Sequence, residues 1–169
     1  MAVVNILNIY IHNLSKLELL EKLNRYGGFV VTPNVDHMVK LQKDSEFLEA
    51  YHLSQYIVCD SKILQYISKL LGNPIKEKIS GSDLFPAFYE YNKDNEDVKI
   101  FLLGAKEGIA KQAQHKINQK VGRNIVVDSY SPSFGLEKNE EECQQIIVLN
   151  PNFRELPKSV TGQLSSCPD

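Results

Sequence analysis

Cysteine is scarce, with Cys59, Cys143 and Cys167 the only three in 169 residues. Their odd number and wide spacing exclude a disulfide framework, show no zinc spacing and fit a reducing cytoplasm. An excess of one charge is also missing. The 19 basic and 21 acidic residues leave a formal net charge of −2. No global field therefore draws the chain to nucleic acid or to an acidic membrane, although a local basic patch stays open. No apolar run approaches the roughly 20 residues that span a bilayer. The start, Met1-Ala2-Val3-Val4-Asn5, lacks a basic segment and a small-residue cleavage site, so no signal peptide is expected. His12, His52 and His115 show no ligand spacing, so neither a metal site nor a cofactor is assigned. Internal repeats and low-complexity segments are absent.

What is present is a soluble globular composition, 43% hydrophobic and 24% charged, long enough for one domain with a real core. Strand-like and helix-like segments alternate. Residues 3–11 read as one β-branched strand, and Ser15 and Glu18 have capping-box spacing before a Leu17, Leu20, Leu23 stripe. Gly27-Gly28 stops that helix. Short strands are expected at 29–31, 55–59, 98–103 and 124–128. Helices are expected after Asn34, with a break near Asp44-Ser45, after Ser61, after Asp83, over 106–120 and over 137–148. Alternation of this kind predicts an α/β fold, a Rossmann-like three-layer parallel sheet flanked by helices. Residues 1–149 read as that domain. Residues 150–169, with three prolines and no sustained period, read as an irregular tail.

In parallel sheets, ligands bind outside the carboxyl ends of the strands. Thr32-Pro33-Asn34, Asp60-Ser61 and Gly104-Ala105-Lys106 all fall at such ends. Asp60 is placed to cap the helix after it, or to act as a base. Thr32 and Asn34 could bond a nucleotide or sugar, or serve a turn and cap. Asp36 could assist binding, or be an ordinary acid in a first helical turn. His37 reads as a packed or surface residue. Gly81, Ser82 and Asp83 could form a loop over a donor, or a glycine turn with Ser82 or Asp83 as N-cap. Gly104 could admit close backbone approach, or simply turn the chain. Lys106, Lys111, Lys116, Lys120 and Arg123 could meet phosphates, or form a solvated face. The Ser131–Gly135 loop reads as a site edge or a structural turn.

Five stretches in order carry a resemblance: Thr32-Pro33-Asn34, Cys59-Asp60-Ser61, Ile79-Ser80-Gly81-Ser82-Asp83-Leu84, Ile100-Phe101-Leu102-Leu103-Gly104-Ala105 and Tyr130-Ser131-Pro132-Ser133-Phe134-Gly135. From about residue 3 to residue 147 the chain resembles the WecG/TagA/CpsF family of bacterial glycosyltransferases. The resemblance implies a hexosyltransferase that moves an N-acetylmannosamine-type sugar from a UDP-sugar donor. The implied acceptor is a polyprenyl-diphosphate-linked sugar at the inner face of the cytoplasmic membrane, for surface polysaccharide or teichoic acid synthesis. It places the base at Asp60 and substrate contacts at Thr32 and Asn34. Ser61 stands where many members have glycine. The family pattern also continues into a Pro-Lys-Gln-Glu-like motif and a basic, membrane-docking appendage that are not in this sequence, so the chain reads as a truncated member. Self-association through uncovered apolar surface is expected. The alternative expectation is an inactive remnant that binds nucleotide or a partner subunit; a flavodoxin-like module for another ligand is a third.

Overall fold

One residue divides the first expected strand. In the computed structural model, which describes residues 1–136 and 139–149, Leu7 takes φ 53°. Positive φ in a bulky residue belongs to tight turns, and here the chain reverses. Residues 3–11 are therefore corrected from one strand to an antiparallel hairpin, β1 (Val3–Ile6) and β2 (Ile9–His12), closed by the pair Ile6 and Ile9. Asn8 anchors the turn by donating to the Leu41 carbonyl at 3.0 Å. The tail at 150–169 lies outside the described residues.

The described residues fall into two units, divided between Phe88 and Tyr89. The first holds the hairpin, α1 (Lys16–Tyr26), β3 (Val30–Val31), α2 (Val35–Lys40), α3 (Ser45–His52), β4 (Tyr56–Ile57), α4 (Lys62–Leu70) and most of α5 (Gly81–Tyr91). The expected capping box forms. The Ser15 hydroxyl accepts from the Glu18 amide, and the Glu18 carboxylate accepts from the Ser15 amide at 2.6 Å. Lys76 adds a 2.8 Å ion pair to the same carboxylate. The Lys76 bond, then the Ser15 amide, holds the Glu18 carboxyl down to about 2, from the ordinary 4.5. A depressed carboxyl stabilises the fold above its unfolded pKa and loses that contribution as pH falls through the folded one. Glu18→Gln is thus expected to flatten the stability-versus-pH curve between about 4.5 and about 2, measured by thermal melts across that window.

β3 and β4 pair in parallel, Val30 with Tyr56 and Val31 with Ile57. Backbone bonds continue this ladder in both directions, from Tyr56 to Phe29, Val58 to Val31 and Asp60 to Pro33. Side chains alternate across a strand, and β4 is buried on both faces, as parallel strands are. Ile57 and Cys59 join a cluster with Val4, Ile11, Met38 and Tyr51. Tyr56 and Val58 join another with Leu14, Leu19, Ile79 and Leu84. His12, buried beside β4, accepts the Ile57 amide on its Nδ1 at 2.9 Å, and burial lowers its pKa. Its role in the fold is that of a neutral acceptor.

The second unit holds the end of α5, β5 (Ile100–Leu103), α6 (Ile109–Val121), β6 (Val126–Tyr130) and α7 (Glu140–Leu149). β5 and β6 are parallel, with the register slipping at Val127 between the pairs Ile100–Val126 and Phe101–Asp128. The helix expected from residue 106 starts at Ile109. Gly104, Ala105 and Gly108 all take positive φ, which no right-handed helix contains. Among the described residues the fold is mixed α/β, with seven helices, two parallel strand pairs and one hairpin. The backbone pairing among the described residues forms three two-stranded sheets.

Candidate functional site

Asp60 and the Thr32-Pro33-Asn34 segment meet because parallel strands end side by side. The Asp60 amide donates to the Pro33 carbonyl at 3.0 Å, one step beyond β3 and β4. Asn34 is the N-cap of α2, its Oδ1 accepting from the His37 amide at 2.9 Å. Its Nδ2 and the second lone pair of Oδ1 are not used by this cap. Asp36 is exposed in the first turn of α2.

The capping alternative for Asp60 fails. Ser61 caps α4, its hydroxyl accepting from the Leu64 amide at 3.2 Å. Asp60 is left with a carboxylate 30% exposed, and Lys78 Nζ stands 3.5 Å from its Oδ1. Ser61→Ala should therefore cost about 1 kcal/mol of stability, the usual worth of a cap, which chemical denaturation checks.

Lys78 is the residue the sequence reading missed. It lies in the polar connection before α5. The Ile79 amide donates to the Cys59 carbonyl at 2.7 Å, which lays this connection against the end of β4. The Lys78 amine thereby sits between two carboxylates, Asp60 and Asp83, the second at 3.7 Å. Nothing in the sequence separates Lys78 from Lys76, whose amine goes to Glu18.

Gly81, Ser82 and Asp83 are not a loop but the first turn of α5. The Ser80 carbonyl takes the amides of Asp83 and Leu84, so neither Ser82 nor Asp83 is the cap. The Ser80 hydroxyl donates to Asp83 at 2.5 Å and lies 3.1 Å from the Ser82 hydroxyl. The Ser80 bond is the main cause holding the Asp83 carboxyl below its ordinary range. A methyl group on Gly81 would stand 3.9 Å from Thr32 Oγ1, so α5 begins against Thr32. Thr32, Asp60, Lys78, Gly81 and Asp83 thus share one partly exposed corner: a hydroxyl, two carboxylates and an ammonium.

Gly104 belongs to the second unit. Its φ of 121° suits glycine, and the space a side chain would occupy is open. In the same unit, the Ser131–Gly135 loop is pinned. The Glu142 carboxylate accepts from the Ser133 amide at 2.8 Å, the Ser133 hydroxyl, the Tyr130 hydroxyl and the Asn139 amide group. Phe134 projects from it, 98% exposed. Two of the five cations read as phosphate-facing or solvated take structural partners. Lys120 pairs with Glu90 at 2.8 Å, and the Arg123 guanidinium donates to the carbonyls of Asn92, Lys93, Asn95 and Val98.

Among the described residues, no group of three or more His, Cys, Asp or Glu is placed to hold a metal ion, and no helix is long and apolar enough to cross a membrane. The sequence profile described as the glycosyl transferase WecG/TagA/CpsF family matches residues 4–153. The chain belongs to this family. It is 26% identical over 159 residues to the N-acetylglucosaminyldiphosphoundecaprenol N-acetyl-beta-D-mannosaminyltransferases of Staphylococcus aureus strains NCTC 8325 / PS 47 and COL. The match takes in 90% of this chain and 61% of each relative, so this family member spans about three fifths of their length.

Proposed function

We propose that this chain is a glycosyltransferase that moves an N-acetylhexosamine-type sugar, N-acetylmannosamine or a related one, from a UDP-sugar to a polyprenyl-diphosphate-linked acceptor. The observation that carries the reading is the pairing of Asp60, freed from capping by Ser61, with the Lys78 ammonium at 3.5 Å. In this reading Asp60 takes the proton from the acceptor hydroxyl. The resulting oxygen attacks the anomeric carbon, and the sugar–phosphate bond breaks with its electrons going to UDP. Thr32, Asn34 and Asp36 hold the acceptor or sugar. Lys78 faces the charge that develops on the leaving phosphates, and Gly81, Ser82 and Asp83 contribute to donor binding. Gly104, in the second unit, is read as a further donor contact. The relatives' names, which specify an undecaprenyl-diphosphate acceptor, support the acceptor class and with it peripheral contact with the cytoplasmic membrane face.

Transfer of labelled N-acetylmannosamine from its UDP ester to a prenyl-diphosphate-linked N-acetylglucosamine tests the reading, with UDP calorimetry beside it. Transfer is the expected result. UDP binding without transfer would favour the nucleotide-binding remnant, and neither binding nor transfer in folded protein would overturn both.

Self-association is part of the same proposal. A groove of about 450 Å³ between α2 and α4 is lined by Leu7, Val35, Val39, Ile63, Ile67 and Leu71 among others, and Val39, Ile63 and Leu71 are exposed. Exposed apolar surface of this kind favours burial against a second copy. Sedimentation should show a species larger than the monomer; a monomer at high concentration would refute this part.

A further inference from the structure

A buried phenol next to the site has one described hydrogen-bond partner. Tyr51 is 1% exposed, and its hydroxyl lies 2.6 Å from His37 Nδ1. The His37 ring meets Phe47 edge-on at 5.3 Å and Tyr51 at 6.2 Å, so α3 holds it on two sides. His37 sits in the first turn of α2, and its amide is the one Asn34 caps. The ring thus belongs to the turn that opens at Asn34, beside the Pro33–Asp60 backbone bond.

The phenol decides the state of the imidazole. A hydroxyl carries one hydrogen to donate, and burial raises its pKa, so Tyr51 stays protonated. Donating to Nδ1 requires that nitrogen to be bare. A protonated ring would carry hydrogen on Nδ1 and strand the buried Tyr51 hydrogen, at the cost of an unmade buried bond. His37 is therefore neutral, with its hydrogen on Nε2. Such a ring offers a donor and no acceptor.

We propose that His37 is a ligand-binding residue of this site: a neutral imidazole, locked by Tyr51 into its Nε2–H form, that donates a hydrogen bond to a phosphate or carbonyl oxygen bound beside Asp60. It cannot serve as a base at Nε2, which leaves proton removal to Asp60. The charged groups acting on the ring are Lys40 and Asp36 from its own helix and Asp60 from the neighbouring strand end, with Tyr51 from α3. Burial is the largest influence and lowers its pKa; Lys40 lowers it further, and Asp36 and Asp60 raise it. Only the identity of the ligand rests on the glycosyltransferase reading.

Nitrogen-15 NMR of the imidazole tests the lock. Near neutral pH the native chain should show the Nε2–H form, and Tyr51→Phe should give a mixture of tautomers. An Nδ1–H form in the native chain would overturn the proposal. Asp60→Asn should lower the His37 titration midpoint; an unmoved midpoint would show that the ring does not face this site. UDP calorimetry tests the ligand. His37→Phe should weaken binding about tenfold, the loss expected of one bond to a charged acceptor, and His37→Gln should recover part of it. Unchanged UDP affinity in His37→Phe would also overturn the proposal. If His37→Phe does not fold, His37→Phe with Tyr51→Phe orphans no hydroxyl and carries the same measurement. If the native chain binds no UDP, the functional reading fails, and the tautomer and midpoint still decide the state and facing of His37.

Discussion

Asp60→Asn is expected to lower sugar transfer by roughly 10²–10⁴-fold, the range for losing a positioned general base, while UDP affinity and folding hold. The substitution keeps the size and one oxygen of the side chain but removes its basicity. Stability should move little. Asp60 does not cap α4, because Ser61 does. Its ion pair with Lys78 is 3.5 Å long, between side chains 28% and 30% exposed, and such pairs are worth about 0–1 kcal/mol. Initial rates with a labelled donor, beside thermal melts, separate the possibilities. A loss under tenfold would remove Asp60 as the base. A large loss accompanied by unfolding would mean the residue is structural.

The largest expected stability effect lies three residues earlier. Ile57→Ala should destabilise the fold by about 2–5 kcal/mol, the range for removing buried isoleucine or leucine methyl groups. Ile57 is 0% exposed, and its amide is the donor to His12. Its side chain packs in the cluster that holds the hairpin against α2, α3 and α4. With β4 buried on both faces, the neighbours have little room to collapse into the space left. A typical domain is stable by only 5–15 kcal/mol, so the variant should show a markedly lower denaturation midpoint. It should also lose sugar transfer, because the strand that leads to Asp60 loosens with it. A change under 1 kcal/mol would show that β4 is not where the fold is anchored.

Much of the local structure was legible because its causes are local. Ser15 with Glu18, Asp44 and Ser61 are polar residues set before apolar stripes, and each caps the helix that follows it. The α2–α3 break near Asp44 was readable for the same reason. The misreadings came from backbone conformations that side-chain pattern does not encode. Residues 3–11 have the composition of one strand, yet the positive φ at Leu7 makes a hairpin. Gly81-Ser82-Asp83 looks like a loop, yet the Ser80 carbonyl starts a helix there. The delayed start of α6 follows from the positive φ at Gly108, and the positive φ at Ala105 just before it gives no signal in sequence.

The sequence by itself determined the strand–helix alternation, the family, and the residue types at the strand ends, because periodicity, capping and ordered motifs are written in neighbouring residues. It left Asp60 as a cap or a base and read His37 as a packed or surface residue. Only the tertiary structure gave the cap to Ser61 and the neighbours to Asp60 and His37. The parallel β3–β4 ladder brings Pro33 to Asp60 across 27 positions of chain. The pairing of Ile79 with Cys59 delivers Lys78 between two carboxylates. The packing of α3 puts the Tyr51 hydroxyl on His37. The pairings of Pro33 with Asp60, Cys59 with Ile79, Asp60 with Lys78 and His37 with Tyr51 join residues far apart in sequence, and the charge that gives a site its chemistry depends on such neighbours.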